Sequence, residues 1–252
     1  MLVYLFSHKE KTQQVTVIII DMTTLWIYGD SYVENSHQEH CWGKLLQQQQ
    51  GFERLETRGL AGVGNDWIFR QIRESCQEWQ AEDRVVCVWS DVYRQWWFPD
   101  EPQNSNIASL WGRQDMQELE ERDPDRVTAV GYYLSFLSRE DLDLDRLRGY
   151  RARLQLECLR ADCDLCEIPA FDTDLEWSVQ GDLTEASIGE FHSDDHRTRY
   201  LQDGVDPRPC HFSQENHRIL ALKIQRYFET PGMIDFDSEF VKNCIPDIYR
   251  GS

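Results

Sequence analysis

The sequence predicts an α/β fold, a three-layer α/β/α arrangement around a central, mainly parallel sheet. Short apolar runs at residues 24–28 (TLWIY) and 84–89 (RVVCVW) read as strands, and the second is continuous, as burial on both faces requires. The stretches between such runs carry apolar residues at helical spacing, and strands alternating with helices favour parallel crossover units. A chain of 252 residues is long enough to make one substantial domain of this kind.

In chain order, residues 1–21 (MLVYLFSHKEKTQQVTVIIID) are expected to be an extension outside the core. An edge strand at residues 15–20 is the competing reading. Its apolar pieces are split by His8, Lys9, Glu10 and Lys11, and no small-residue cleavage site follows, so a secretory signal is not expected. The strand at 24–28 ends at Gly29-Asp30-Ser31, a tight turn. Residues 32–46, with Val33, Trp42, Leu45 and Leu46 among polar neighbours, predict a helix leading into the polar Gln47–Gln50 run. A second strand is expected at 52–57, followed by a glycine-rich loop at 58–65 (RGLAGVGN). Trp67, Ile68, Ile72, Cys76 and Trp79 give helical spacing before the strand at 84–89. Residues 98–126, rich in Pro, Asn, Asp and Glu, read as a long surface excursion.

Residues 142–160 set Leu142, Leu144, Leu147, Tyr150, Leu154, Leu156 and Leu159 among charges, predicting an amphipathic helix that feeds a buried CDLCEIP strand. A polar stretch from 172 to 209 precedes a final helix at 214–227, with Ser213 as its N-cap and Ile219, Leu220, Leu222, Ile224 and Phe228 available for packing. The core domain is thus expected over 22–230, with 231–252 a tail packing on it or extending from it.

Bulk properties exclude several function classes. Hydrophobic residues at 40% and charged residues at 28% are ordinary for a globular chain. The net charge of −19 repels phosphate backbones and anionic lipid, so neither nucleic acid nor a membrane surface is an expected partner. No apolar run approaches the length of a membrane span. A cytoplasmic or virion-associated location is expected. Eight cysteines in a chain of this size suggest neither a disulfide scaffold nor a metal centre. Cys163 and Cys166 lie in the CDLCEIP run and read as buried thiols. His192-Ser193-Asp194-Asp195-His196 has metal-like composition but no third placed ligand, so no metal and no cofactor are expected. Trp96, Trp97 and Phe98 can stack on a sugar or acyl group, or cover the core.

Two segments carry chemistry. A serine just after a strand and a glycine turn, as in Tyr28-Gly29-Asp30-Ser31-Tyr32, projects its hydroxyl above the sheet edge. Such a hydroxyl needs a neighbouring base to become a nucleophile. Near the other end, His211 precedes a helix start, fixed by the helix yet on a loop, which suits a general base.

Gly29-Asp30-Ser31 resembles the first sequence block of the SGNH/GDSL hydrolases. His211-Phe212-Ser213, running into Asn216-His217-Arg218-Ile219-Leu220-Ala221, resembles their last block. The two stand in the family's order, and the resemblance spans about residues 22–229. It implies a flavodoxin-like SGNH hydrolase fold, with Ser31 as nucleophile and His211 as base. His217 is the lesser candidate, as a helix residue directed away from the nucleophile. The family also implies an oxyanion hole, whose preorganised donors stabilise the charge developing on a tetrahedral intermediate. Position makes Gly62-Val63-Gly64-Asn65-Asp66 the second block, so Gly62 supplies the backbone amide and Asn65 can add a side-chain donor.

Two departures stand out. The third block should follow Trp89 and hold an asparagine, but the chain reads Ser90-Asp91-Val92-Tyr93-Arg94, leaving Asn65 or Ser90 as substitutes. The acid expected three residues before the base is replaced by Arg208, which points to Asp206, with Asp203 behind it, or to a Ser–His dyad aided by a backbone carbonyl. The implied activity is hydrolysis of an ester, with deacylation of a carbohydrate or small molecule as the form expected. The alternative is a non-catalytic or virion-associated interaction protein that keeps the fold, and an acyltransferase using the same serine is a third reading.

Overall fold

Alternate residues of three neighbouring strands feed two apolar cores, one on each face of a four-stranded sheet. The computed structural model describes residues 2–6, 15–19, 23–92, 94, 121, 124–136, 139–171, 173, 175–183, 212–230, 234–236 and 238–241. Strands β1 (Leu2–Phe6) and β2 (Val15–Ile19) pair antiparallel with each other in a two-stranded sheet of their own. The main sheet holds β3 (Thr24–Gly29), β4 (Arg54–Gly59), β5 (Arg84–Trp89) and β6 (Asp164–Pro169) in the order β4-β3-β5-β6, every pair parallel.

The helices are α1 (Trp42–Gln50), α2 (Asn65–Ser75), α3 (Pro124–Phe136), α4 (Glu140–Ala161) and α5 (Gln214–Glu229). Leu25 and Ile27 of β3, Val86 and Val88 of β5, and Cys166 and Ile168 of β6 face α1 and α5, where Leu46, Leu220 and Ile224 close the first core. Trp26, Tyr28, Val85, Cys87 and Trp89 point the other way, onto Ile68 and Ile72 of α2 and Leu147 and Leu154 of α4. The period of two along each strand therefore divides one sheet between two helical layers, which is the three-layer α/β/α fold. A short pair, β7 (Val179–Gln180) with β8 (Ile234–Asp235), brings Phe236 and Phe240 into the first core.

Polar groups inside the layers are matched. Trp79 Nε1 donates to Tyr28 Oη at 3.1 Å, Tyr28 Oη lies 2.6 Å from Ser75 Oγ, and Ser75 Oγ donates to Gln71 O at 2.8 Å, so the tyrosine sits in a continuous chain. Burial pushes its hydroxyl well above the ordinary tyrosine pKa. The buried Glu167 of β6 accepts from Trp89 Nε1, Arg151 Nε and Gln155 Nε2 at 2.9, 3.1 and 2.6 Å, tying α4 to the sheet.

Several sequence expectations shift. The helix expected from residue 32 begins at Trp42, because residues 31–41 form successive turns, and the Gln47–Gln50 run is the helix's last turn. The helix α3 was not anticipated, and most of the 98–126 excursion lies outside the described residues. Leu222 is exposed and packs on nothing in the core. Cys163 precedes β6 and is only half-buried, donating to Gln80 O at 3.1 Å, while Cys166 is fully buried. Ser213 is the N-cap of α5, its side chain accepting from Asn216 N at 3.1 Å.

Candidate active site

In sheet order, the strands run second, first, third, fourth, so the order reverses between β3 and β5. Ligands in doubly wound sheets bind outside the carboxyl ends at such a switch point. The register brings those ends level, with Tyr28 opposite Cys87 and Gly29 opposite Gly59. Ser31, the 60–64 loop and Ser90 therefore emerge side by side from one edge.

The turn that carries Ser31 is built by Asp30. Its carbonyl accepts from Val33 N at 2.9 Å and Glu34 N at 3.1 Å, while its carboxylate accepts from Tyr32 N at 3.1 Å. These bonds fold the chain back at once and leave Ser31 half-buried at the bend. The bend settles onto β4 because Gly59 has no side chain. A Cβ there would lie 2.6 Å from Glu34 N.

Asp30 is completely buried, and Arg94 Nη1 donates to its Oδ2 at 2.8 Å, as does Ser90 Oγ at 2.9 Å. Arg94 Nη1 also reaches Ser90 Oγ at 3.1 Å, and the guanidinium lies 4.8 Å from the centre of the Phe171 ring. Asn65, the first residue of α2, is buried against the same loop: its Oδ1 accepts from Ser90 N at 2.7 Å and its Nδ2 donates to Ser90 O at 2.9 Å. Ser90 thus gives its single hydroxyl hydrogen to Asp30, and Asn65 retains one amide hydrogen beyond its bond to Ser90. Gly62 takes a φ of +77°, the left-handed region that glycine tolerates best. Among the described residues, neither the Gly62 amide nor the Ser31 hydroxyl meets a hydrogen-bond partner.

His211 and Asp206 lie outside the described residues, as do Asp203, Arg208, the His192–His196 segment, Trp96, Trp97 and Phe98. The residue after His211 is described. Phe212 is buried, and its ring centre lies 5.2 Å from that of Tyr32, the residue after Ser31. His217 sits 5.3 Å from Phe212 ring to ring, and its Nδ1 accepts from Trp42 N at 3.3 Å, so it satisfies an otherwise free amide at the start of α1.

Arg94 and Asp30 are the parts of this arrangement to which the sequence assigned no role. A clue was available in Asp30, since an acid within a sharp turn often bonds its own backbone. Arg94 also helps to line a cavity of about 200 Å³, together with Asn65, Asp66, Val92, Asp143, Arg146, Leu147 and Tyr150. Among the described residues, no group of three or more His, Cys, Asp or Glu side chains could hold a metal ion, and no helix is long and apolar enough to cross a membrane.

No family model and no curated protein matches the chain. Solved structures do resemble it. A G-D-S-L-family protein from Desulfitobacterium hafniense DCB-2 aligns with a TM-score of 0.39 and 8% identity, over 81% of this chain and 98% of the other. An acetyl xylan esterase, AlAXEase, aligns at 0.30 and 13% over 80% and 98% of the two chains. A member of the lipolytic protein G-D-S-L family from Veillonella parvula DSM 2008 aligns at 0.32 and 12% over 82% and 99%. The fold described above rests on the strand order and the two packed faces, independently of these likenesses.

Proposed function

We propose that this chain is a serine esterase that removes an acyl group from a carbohydrate or small molecule. Ser31 attacks the ester carbonyl, His211 takes its proton, and Asp206 orients the imidazole. The Gly62 amide holds the oxyanion, with Asn65 as the remaining one of the two side-chain substitutes, since Ser90 gives its hydroxyl hydrogen to Asp30. His211 then returns the proton to the departing alkoxide and activates water to release the acyl group, so no cofactor enters.

The observation that carries this reading is the contact between Tyr32 and Phe212. Each is the immediate neighbour of a proposed catalytic residue, and the two are 180 positions apart in the chain, so their packing supports convergence of the two loops. The uncommitted Gly62 amide at a positive φ supports an oxyanion role. A surface carrying −19 charges favours a neutral ester over a polyanion.

Hydrolysis of p-nitrophenyl acetate by the native chain and by Ser31→Ala tests the proposal, with fluorophosphonate labelling as a second measurement. Turnover and labelling are both expected to be lost in Ser31→Ala. Equal rates in the two proteins, with no labelling of Ser31, remove the esterase reading. The bond from Ser90 to Asp30 favours a second reading, a non-catalytic interaction protein on the same scaffold, because it occupies the donor nearest the missing asparagine. That reading predicts an unlabelled Ser31.

A further inference from the structure

The third sequence block lacks its asparagine, and the structure shows what occupies that region. Arg94 reaches back from just beyond Ser90 to the carboxylate of Asp30, the residue next to Ser31. A guanidinium carries five N–H donors in a rigid fork. Nη1 donates to Asp30 Oδ2 and Ser90 Oγ. Among the described residues, Nε and Nη2 meet no acceptor, although the side chain is only 18% exposed. A guanidinium anchored beside Ser31 by a buried carboxylate, with donors that meet no acceptor among the described residues, can offer those donors to a polar group of a ligand. Arg94 is also one of the residues that line the neighbouring cavity between α2 and α4.

The fork is also held in orientation. Asp30 fixes one edge, the Phe171 ring lies against its face at 4.8 Å, and the Arg94 carbonyl packs on Gly64, where an added Cβ would come within 2.3 Å of it. Preorganisation of this sort is what a transition-state donor needs, since it then reorients nothing as charge develops. Of the remaining side-chain candidates, Ser90 gives its only hydrogen to Asp30, and Asn65 is pinned to the Ser90 backbone through both its oxygen and its nitrogen, which leaves it a single amide hydrogen.

We propose that Arg94 is the side-chain donor of the oxyanion site, its free edge taking the carbonyl oxygen of the ester in place of the absent asparagine. The inference rests on the esterase reading. As Ser31 Oγ bonds to the carbonyl carbon, its proton passes to His211 and the carbonyl π pair moves onto oxygen, where Arg94 and the Gly62 amide receive it. Collapse returns that pair to the carbonyl, breaks the bond to the leaving alkoxide, and His211 protonates the leaving group. Arg94 keeps its own protons throughout.

Kinetics on p-nitrophenyl acetate with Arg94→Gln, Arg94→Lys, Asp30→Asn and the Asp30→Asn/Arg94→Gln double variant test this, each checked for folding by circular dichroism and thermal unfolding. Loss of one oxyanion donor should lower kcat by about 100-fold with little change in KM. Arg94→Lys keeps a charge for Asp30 but cannot address both sides at once, so it should fold normally and remain slow. The decisive comparison is between the double variant and Asp30→Asn. If Arg94 served only to neutralise Asp30, removing both charges would restore the rate to within twofold of Asp30→Asn, and the inference would be overturned. The expected result is a double variant still about 100-fold below that single variant. Partial rescue of Arg94→Ala by added guanidinium ion would support the same conclusion. Full activity in Arg94→Lys and Arg94→Gln overturns the role of Arg94 and leaves the esterase reading intact, whereas no turnover or labelling by the native chain overturns both.

Discussion

Two aspartates are buried at opposite ends of the same sheet, and they are held by different chemistry. Asp83, just before β5, accepts from Thr24 N at 2.7 Å, Trp26 Nε1 at 2.9 Å and Gln80 N at 3.0 Å, all neutral donors of the scaffold. Asp30, just after β3, accepts from Tyr32 N, Ser90 Oγ and the Arg94 cation. The first is a closed staple, joining the start of β3 to the turn before β5. The second engages a side chain that still has donors to offer and a cavity beside it. A buried carboxylate satisfied only by neutral scaffold donors serves the fold, whereas one that orients a cation towards open space can also serve a ligand.

The sharpest way to break this contrast is to remove each carboxylate. Asp83→Ala leaves three donors without an acceptor, at about 1–3 kcal/mol for each buried group, so unfolding stability should fall by about 4 kcal/mol. Turnover per folded molecule should not change. Urea titration and active-site labelling measure the two quantities separately. Asp30→Ala removes the partner of a cation that retains some exposure and can turn towards the cavity, so the stability loss should be smaller, about 3 kcal/mol. Here esterase turnover should fall at least tenfold as well, since a loosened donor near the transition state is costly. Equal effects of the two substitutions on turnover would abolish the distinction between the ends.

A milder probe works through backbone contact. Gly64→Ala would bring a Cβ to 2.3 Å from the Arg94 carbonyl, which must move, at about 2 kcal/mol by analogy with overpacked cores. Gly51, at a φ of +74°, has nothing within 4 Å of such an atom, so Gly51→Ala should cost only about 1 kcal/mol of left-handed strain. Only the first should reduce turnover, as measured on p-nitrophenyl acetate. A rate loss in Gly51→Ala of the same size would mean that general softening, not displacement of Arg94, is responsible.

These contrasts also explain what the sequence revealed. TLWIY and RVVCVW announce strands because both faces of β3 and β5 are covered, so nearly every position must be apolar. The Gly29-Asp30-Ser31 turn was legible because its chemistry is local, an acid bonding its own backbone two residues on. The start of α1 was displaced by ten residues because the carbonyls of Asp30 and Val33 organise turns that no periodicity records. Helix α3 escaped notice because its apolar residues are spread around the helix and do not form one stripe. Arg94 was invisible for another reason: its partner lies 64 positions away, and only the parallel pairing of β3 with β5 brings them together.

The stretch between the two ends can be tested by pH. Cys87 of β5 and Cys166 of β6 are fully buried mid-sheet, one in each core, and burial holds both thiols well above the ordinary value of 9.0. In the unfolded chain such thiols lose their protons near that ordinary value, while in the native sheet they keep them. The native state then binds more protons than the unfolded one, so stability must fall as pH rises beyond about 9. Each such thiol should remove about 1.4 kcal/mol between pH 8 and 10. Cys166→Val, a swap of similar volume, should flatten that decline by about the same amount while leaving both aspartates in place. Urea midpoints measured across this range read the difference directly. An unchanged slope in Cys166→Val would mean that the alkaline loss arises from the other thiols that burial raises, Cys87, Cys158 and Cys163, with the Tyr28–Ser75 chain adding a loss of the same sign only from about pH 10 upward.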